Sequence, residues 1–160
     1  GVFSHQFAAG GSASPDKKLH GNGFVARLSG STSEFIRIWL LMNVGQHPFF
    51  ADKGRGLCLK FTPALHKELF TKKRSKVVID GKELMIEKNS YAFNFLGDTI
   101  VVYHNPKRLN TFGSKSAKVE RIVLEYRQAN KYEVLCDVIT QDYSHRVRSG
   151  DFSRIDIYLA

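Results

Sequence analysis

At 160 residues, with 42% hydrophobic and 24% charged side chains, the chain has the length and composition of one folded domain, and disorder is excluded for most of it. Its formal net charge of +9 and sequence pI near 9.7 raise a nucleic-acid partner, so the distribution of that charge has to decide. The longest apolar stretch, Phe35 to Val44, is interrupted by Arg37 and Asn43 and is too short to span a bilayer.

The first residues, Gly1-Val2-Phe3, lack an initiator Met and have no charged region followed by an apolar run, so an excised piece of a longer protein is expected. Residues 1–30 contain Gly10-Gly11-Ser12, Ser14-Pro15 and Gly21-Asn22-Gly23, a composition that favours irregular backbone and reads as a linker from an upstream domain. Phe3, Phe7 and Phe24 are too apolar for a free tail and are expected against a surface.

At Ser31 the pattern changes. Ser31-Thr32-Ser33-Glu34 has the form of a capping box, in which the Ser31 hydroxyl caps a backbone N–H and Glu34 reaches back, so a short helix is predicted over residues 31–45. Phe35, Ile36, Ile38, Trp39, Leu40, Leu41, Met42 and Val44 cover nearly every direction around its axis, and burial between two bodies is expected. Gly45 supplies a left-handed stop and Pro48 prevents resumption.

Beyond Pro48 the period becomes two. Leu57, Leu59 and Phe61 share a face of one strand, while Thr62 to Phe70 allows at most one helical turn after Pro63. Asp80-Gly81, between Val77-Val78-Ile79 and Lys82 to Glu87, suits a type I′ hairpin turn; Gly97-Asp98 separates Tyr91 to Leu96 from Thr99 to His104 in the same way. Lys118 to Arg127, Tyr132 to Cys136 and Arg154 to Leu159 complete seven or more short strands. The expected fold class is mainly β, a sandwich or jelly-roll-like domain over residues 50–160 preceded by one short buried helix.

Chemistry is sparse. Asp80, Asp98 and Asp151 occupy turns, and Glu120, Glu125 and Asp156 alternate outward on strands, so no acid–base pair is expected. There is no G-x-S-x-G elbow, P-loop or G-x-G-x-x-G segment. His5, His20, His47, His66, His104 and His145 are scattered singly, and Cys58 and Cys136 read as buried strand residues, so no metal is expected. His104, before Asn105-Pro106, is expected to support a turn. The basic residues concentrate only at Lys72-Lys73-Arg74 with Lys76, without interleaved aromatics, which disfavours nucleic acid against a solvated basic surface. A phosphate is the one ligand with a predicted place, because Ser31, Thr32 and Ser33 would offer hydroxyls and free N–H groups at the positive end of the helix dipole; a simple helix cap uses the same residues.

Taken in order, several segments resemble the C-terminal end of cellobiose phosphorylase-type enzymes of glycoside hydrolase family 94. Leu28-Ser29-Gly30-Ser31-Thr32-Ser33 is similar to the family's T-G-T-A-G-W segment, and Val44-Gly45-Gln46-His47-Pro48 to its L-G-I-R-P phrase. Leu57 to Phe61 with Thr62-Pro63, Phe95-Leu96-Gly97-Asp98-Thr99 and His104-Asn105-Pro106 resemble later strands of its last domain, and Gly1-Val2-Phe3-Ser4-His5 resembles a G-I-F-x-H segment. The resemblance implies a parent that phosphorolyses β-glycosidic bonds with inversion, inorganic phosphate being a substrate rather than a cofactor. It implies phosphate contacts for His5 and Ser31, with Ser31 standing where the family has Thr and Ser33 where it has Gly. The segment carrying the family's general-acid Asp has no counterpart, so this chain is expected to be inert alone. The implied partners are an upstream (α/α)6 barrel, of which residues 31–45 would be the last helix, and the carbohydrate substrate. No membrane partner is expected, a homodimer is left open, and a cytoplasmic parent is expected. The alternative is an independent carbohydrate-binding module using Tyr103, Tyr126, Tyr132, Tyr143 or Tyr158 as a sugar platform. A third, less favoured, is a basic nucleic-acid binder.

Overall fold

A computed structural model describes the backbone from residue 22 onward and the side chains from residue 33 onward. The chain divides into two units, Gly1–Leu40 and Leu41–Ala160, and the described part of the first is helical. Helix α1 runs Asn22–Asn43, beginning nine positions before the predicted cap, so Ser31 to Glu34 lie inside it rather than at its start. The all-round apolar surface is present, but the expected burial is not: Phe35 is 73% exposed, Ile36 and Ile38 about half, and Leu40, Leu41 and Met42 are exposed as well.

The second unit is mainly β, as expected. Strands β1 (Phe49–Asp52) and β2 (Gly56–Leu59) form one antiparallel ribbon, and β3 (Ser75–Ile79) and β4 (Lys82–Ile86) form another. The remaining strands, β5 (Ser90–Phe95), β6 (Thr99–His104), β7 (Val119–Tyr126), β8 (Tyr132–Leu135) and β9 (Phe152–Leu159), make a five-stranded sheet in the order β5-β6-β9-β7-β8. All its pairings are antiparallel except β6 with β9. A second helix, α2 (Gln141–Ser149), precedes β9 and closes with Gly150 in the left-handed region.

Local chemistry accounts for the turns. Asp80 and Gly81 both have positive φ, 48° and 74°, as a type I′ hairpin requires. In the next hairpin the positive φ values fall on Leu96 and Gly97, one residue earlier than predicted, within a three-residue loop between Phe95 and Thr99. Asn94 steadies that loop by donating to the Gly97 carbonyl and to the Asp80 carboxylate. In the β1–β2 turn, the Asp52 carboxylate accepts from the N–H groups of Gly54 and Arg55, both at 3.0 Å.

One face of the large sheet makes the core. Phe93, Val101, Tyr103, Ile122, Leu124, Ile155 and Ile157 are buried there, joined by Phe61, Leu65 and Phe70 from the extended segment after β2. That segment is tied on both sides. Leu59 pairs with Ile139, Thr62 donates to the Val44 carbonyl and Ala64 to that of Met42, while Leu65 and Pro63 share Thr111. Gly45, with φ of 114°, lies so close to Thr62 that a Cβ would fall 2.0 Å from its Oγ1. The buried Tyr103 hydroxyl donates to the Asn43 carbonyl at 2.5 Å, satisfying an acceptor that the helix end leaves open. Burial holds the Tyr103 hydroxyl well above the usual phenol range.

Candidate functional site

The other face of the sheet carries the polar groups, and the strand register sets them in rows. Ser90, His104 and Tyr158 align across β5, β6 and β9; Ala92, Val102 and Asp156 form the next row, and Asn94, Ile100 and Arg154 the third. His104 stands between Ser90 and Asp156, with Nδ1 3.3 Å from the Ser90 Oγ and Nε2 2.6 Å from an Asp156 oxygen. Arg154 grips the same carboxylate with two donors, each at 2.8 Å. Burial alone would raise the Asp156 carboxyl, but the hydrogen bonds from His104 and Arg154 outweigh it and hold the group below the usual range. Tyr158 stacks on the His104 ring at 4.6 Å, and the Arg121 guanidinium lies 4.1 Å from the centre of the Tyr158 ring.

The order serine, histidine, aspartate matches that of a nucleophilic relay, so its geometry has to be weighed. Ser90 is fully buried and its N–H is taken up by Thr71 Oγ1, which leaves no approach for a substrate carbonyl. Both Asp156 oxygens are engaged by Arg154. The cluster ties β5, β6 and β9 together across the sheet. Sequence reasoning placed His104 in a turn and Asp156 in solvent; pairing two strands that lie more than fifty residues apart brings them into contact instead.

At the opposite end of the sheet, β7, β8 and α2 bring several aromatic and charged side chains together. Tyr126, Lys131, Glu133, Asp142, Tyr143 and Arg146 line an open recess of about 480 Å3. The Lys131 ammonium is 2.7 Å from Glu133, Tyr143 also hydrogen-bonds Glu133, and the two interactions, with Lys131 dominant, keep the Glu133 carboxyl low despite some desolvation. Arg146 donates to the Tyr126 hydroxyl at 3.0 Å, and the Tyr126 ring packs on buried Phe152 at 4.7 Å. A second recess, of about 340 Å3, shares Tyr126 and Arg146 and adds Gln128 and Asp151.

The predicted site residues are not gathered here. His5 lies outside the described residues, as do the side chains of Ser31 and Thr32, and Ser33 is an exposed helical position. With α1 starting at Asn22, the free N–H groups that motivated a phosphate site at Ser31 to Ser33 are not at those positions. Of the tyrosines weighed as a sugar platform, Tyr103 is wholly buried, Tyr158 belongs to the His104 cluster, Tyr132 is exposed, and Tyr126 and Tyr143 share the recess. Cys58 is buried as expected, whereas Cys136 is exposed just beyond β8; both are free thiols.

The basic run is largely neutralised by neighbouring carboxylates. Lys72 pairs with Glu68, Arg74 with Glu87 and Lys76 with Glu83, and outside the run Lys82 pairs with Asp98. Arg108 and Arg127 spend donors on backbone carbonyls. No group of three His, Cys, Asp or Glu side chains among the described residues could hold a metal ion, and no described helix is long and apolar enough to cross a membrane. No protein-family model matches the chain, and no curated protein does.

Proposed function

We propose that the chain is the C-terminal, non-catalytic part of a carbohydrate-active protein resembling cellobiose phosphorylases, in which the β unit accompanies a helical catalytic body of the same protein. The observation that carries this reading is the apolar surface of α1 from Phe35 to Met42. Successive helical residues are about 100° apart, so Phe35, Ile36, Ile38, Leu40 and Leu41 face widely different directions. A two-helix contact covers a single stripe; this helix needs cover on several sides, as a helix inside a bundle or barrel has. Each such side chain gains about 1.5–3 kcal/mol on full burial, enough together to hold a helix in another body.

In the parent, phosphate would attack the anomeric carbon while a general acid outside this chain protonates the leaving oxygen. Reading the gene upstream tests the proposal most directly. Several hundred residues of helical pattern are expected, and their absence would overturn it. Incubating this chain alone with cellobiose and phosphate should release no glucose 1-phosphate, whereas the longer polypeptide should.

A further inference from the structure

The two edges of the five-stranded sheet differ. The outer side of β5 is occupied at its start, because Thr71 donates its N–H to the Ser90 carbonyl and its Oγ1 accepts from the Ser90 N–H. β8 forms the other edge, and among the described residues no strand pairs with its outer side. Exposed edges are commonly blunted by a proline or a bulge. β8 has no proline, and its register with β7 runs unbroken from Tyr132 to Leu135.

One hydrogen bond at the start of β8 sets the direction of its backbone groups: the Tyr126 N–H donates to the Lys131 carbonyl at 3.1 Å. Antiparallel pairing alternates, so Glu133 and Leu135, opposite Leu124 and Ile122, turn their N–H and C=O groups to β7, while Tyr132 and Val134 turn theirs outward. The side chains of Tyr132 and Val134 stand on one face of the strand, 54% and 61% exposed, and the exposed Cys136 follows just beyond it.

We propose that β8 pairs antiparallel with β8 of a second copy of this chain, about a two-fold axis at Val134. Val134 then faces Val134 and Tyr132 faces Cys136, so outward backbone groups find partners and exposed apolar side chains meet. Charge selects this register. An axis at Glu133 would oppose two Glu133 carboxylates, and one at Leu135 would oppose Glu133 to Asp137, each placing like charges across the ladder. An axis at Tyr132 would bring Val134 against Asn130, in the turn that joins β7 to β8. The axis at Val134 avoids all three and sets Lys131 opposite Asp137. These two already have partners in their own chain, Glu133 and Lys60, and are exposed, so the pair favours the register and adds little affinity. The strand is thus its own complement, which singles out a second copy as the occupant. The pairing depends on the sheet edge alone, whatever the parent catalyses.

Sedimentation of the 160-residue chain over a concentration series, with amide hydrogen exchange read by NMR at both ends of the series, tests the pairing. A reversible monomer–dimer equilibrium is expected. The Tyr132 and Val134 amides should gain protection with concentration, while those of Glu133 and Leu135, already bonded to β7, stay constant. Val134→Pro removes an N–H that β7 does not use and should weaken association at least about tenfold. Val134→Lys keeps that N–H, sets two ammonium groups across the axis and should have the same effect. Retained protection at Glu133 and Leu135 shows that β8 is still in place, and the lysine variant decides should the proline displace the strand. The chain with Phe35→Lys and Ile38→Lys should keep the concentration-dependent protection at Tyr132 and Val134, which separates this contact from association through α1. A monomer throughout the series, protection that does not alternate along β8, or association unchanged in Val134→Lys overturns the proposal. Upstream gene sequence bears on the parent alone, so the two readings fail separately.

Discussion

The sheet of the second unit and the apolar stretch of α1 contain similar side chains in opposite circumstances. Ile122, Leu124, Ile155 and Ile157 are fully buried on one sheet face, while Phe35, Ile36 and Ile38 stand half or more exposed on the helix. On the sheet even the polar face is provided for, because His104, Asp156 and Arg154 satisfy one another. The difference teaches that residues 41–160 carry a buried apolar core and a satisfied polar face, whereas the apolar side chains of the helix are left exposed.

The largest expected effect breaks the sheet side of that contrast. Ile157 lies on the buried face of β9, opposite Tyr103 on β6 and Ile122 on β7. Ile157→Ala should lower unfolding stability by about 2–5 kcal/mol through lost burial and the cavity left behind. Urea denaturation measures it, and a change below about 1 kcal/mol would mean that the core is far looser than its burial indicates.

A smaller effect is expected on the polar face. Asp156→Asn leaves His104 and the partly buried Arg154 without their shared carboxylate and should cost about 1–3 kcal/mol at neutral pH. The sign of the pH dependence follows from the direction of the shift. The Asp156 carboxyl titrates lower in the folded chain than the unfolded value of about 3.9, so its contribution is complete above that value and fades as pH falls through the folded one. The variant should therefore lose this part of the acid-dependent slope. Denaturation curves of both proteins across acid pH that stay parallel would show that the pair contributes nothing.

How much of this was legible in the sequence depends on the range of the interaction concerned. The Asp80-Gly81 hairpin and the Gly45 stop are local, set by backbone preferences of one or two residues, and both were readable. β1 escaped notice because Phe49 to Asp52 is too short to display a period, and α2 because Gln141 to Ser149 buries only Ser144 and Val147. Ser144 is held there by a hydrogen bond to the Leu57 carbonyl, eighty-seven residues away, which no local pattern encodes. The same holds for the His104–Asp156 contact and for the recess, whose residues come from three elements. At Ser31 a valid capping pattern was misleading, since the helical backbone extends back to Asn22 and the cap signal falls inside it.

The smallest expected effect on stability tests the helix side most sharply. Lysine is a good helix former, so Phe35→Lys with Ile38→Lys keeps the local propensity of α1 while removing two of its most exposed apolar side chains. If these residues meet only solvent in the isolated chain, the unfolding free energy of the monomer should change by no more than about 0.5 kcal/mol. Self-association, followed by sedimentation over a concentration series, should fall at the same time because an apolar patch has been made charged. Wild-type Trp39, half-buried on this helix, gives an independent reading. Strongly blue-shifted Trp39 emission in a proven monomer, together with a loss of 2 kcal/mol or more in the double variant, would show that the chain covers its own helix. The contrast between the two regions would then collapse, and with it the need for a helical partner.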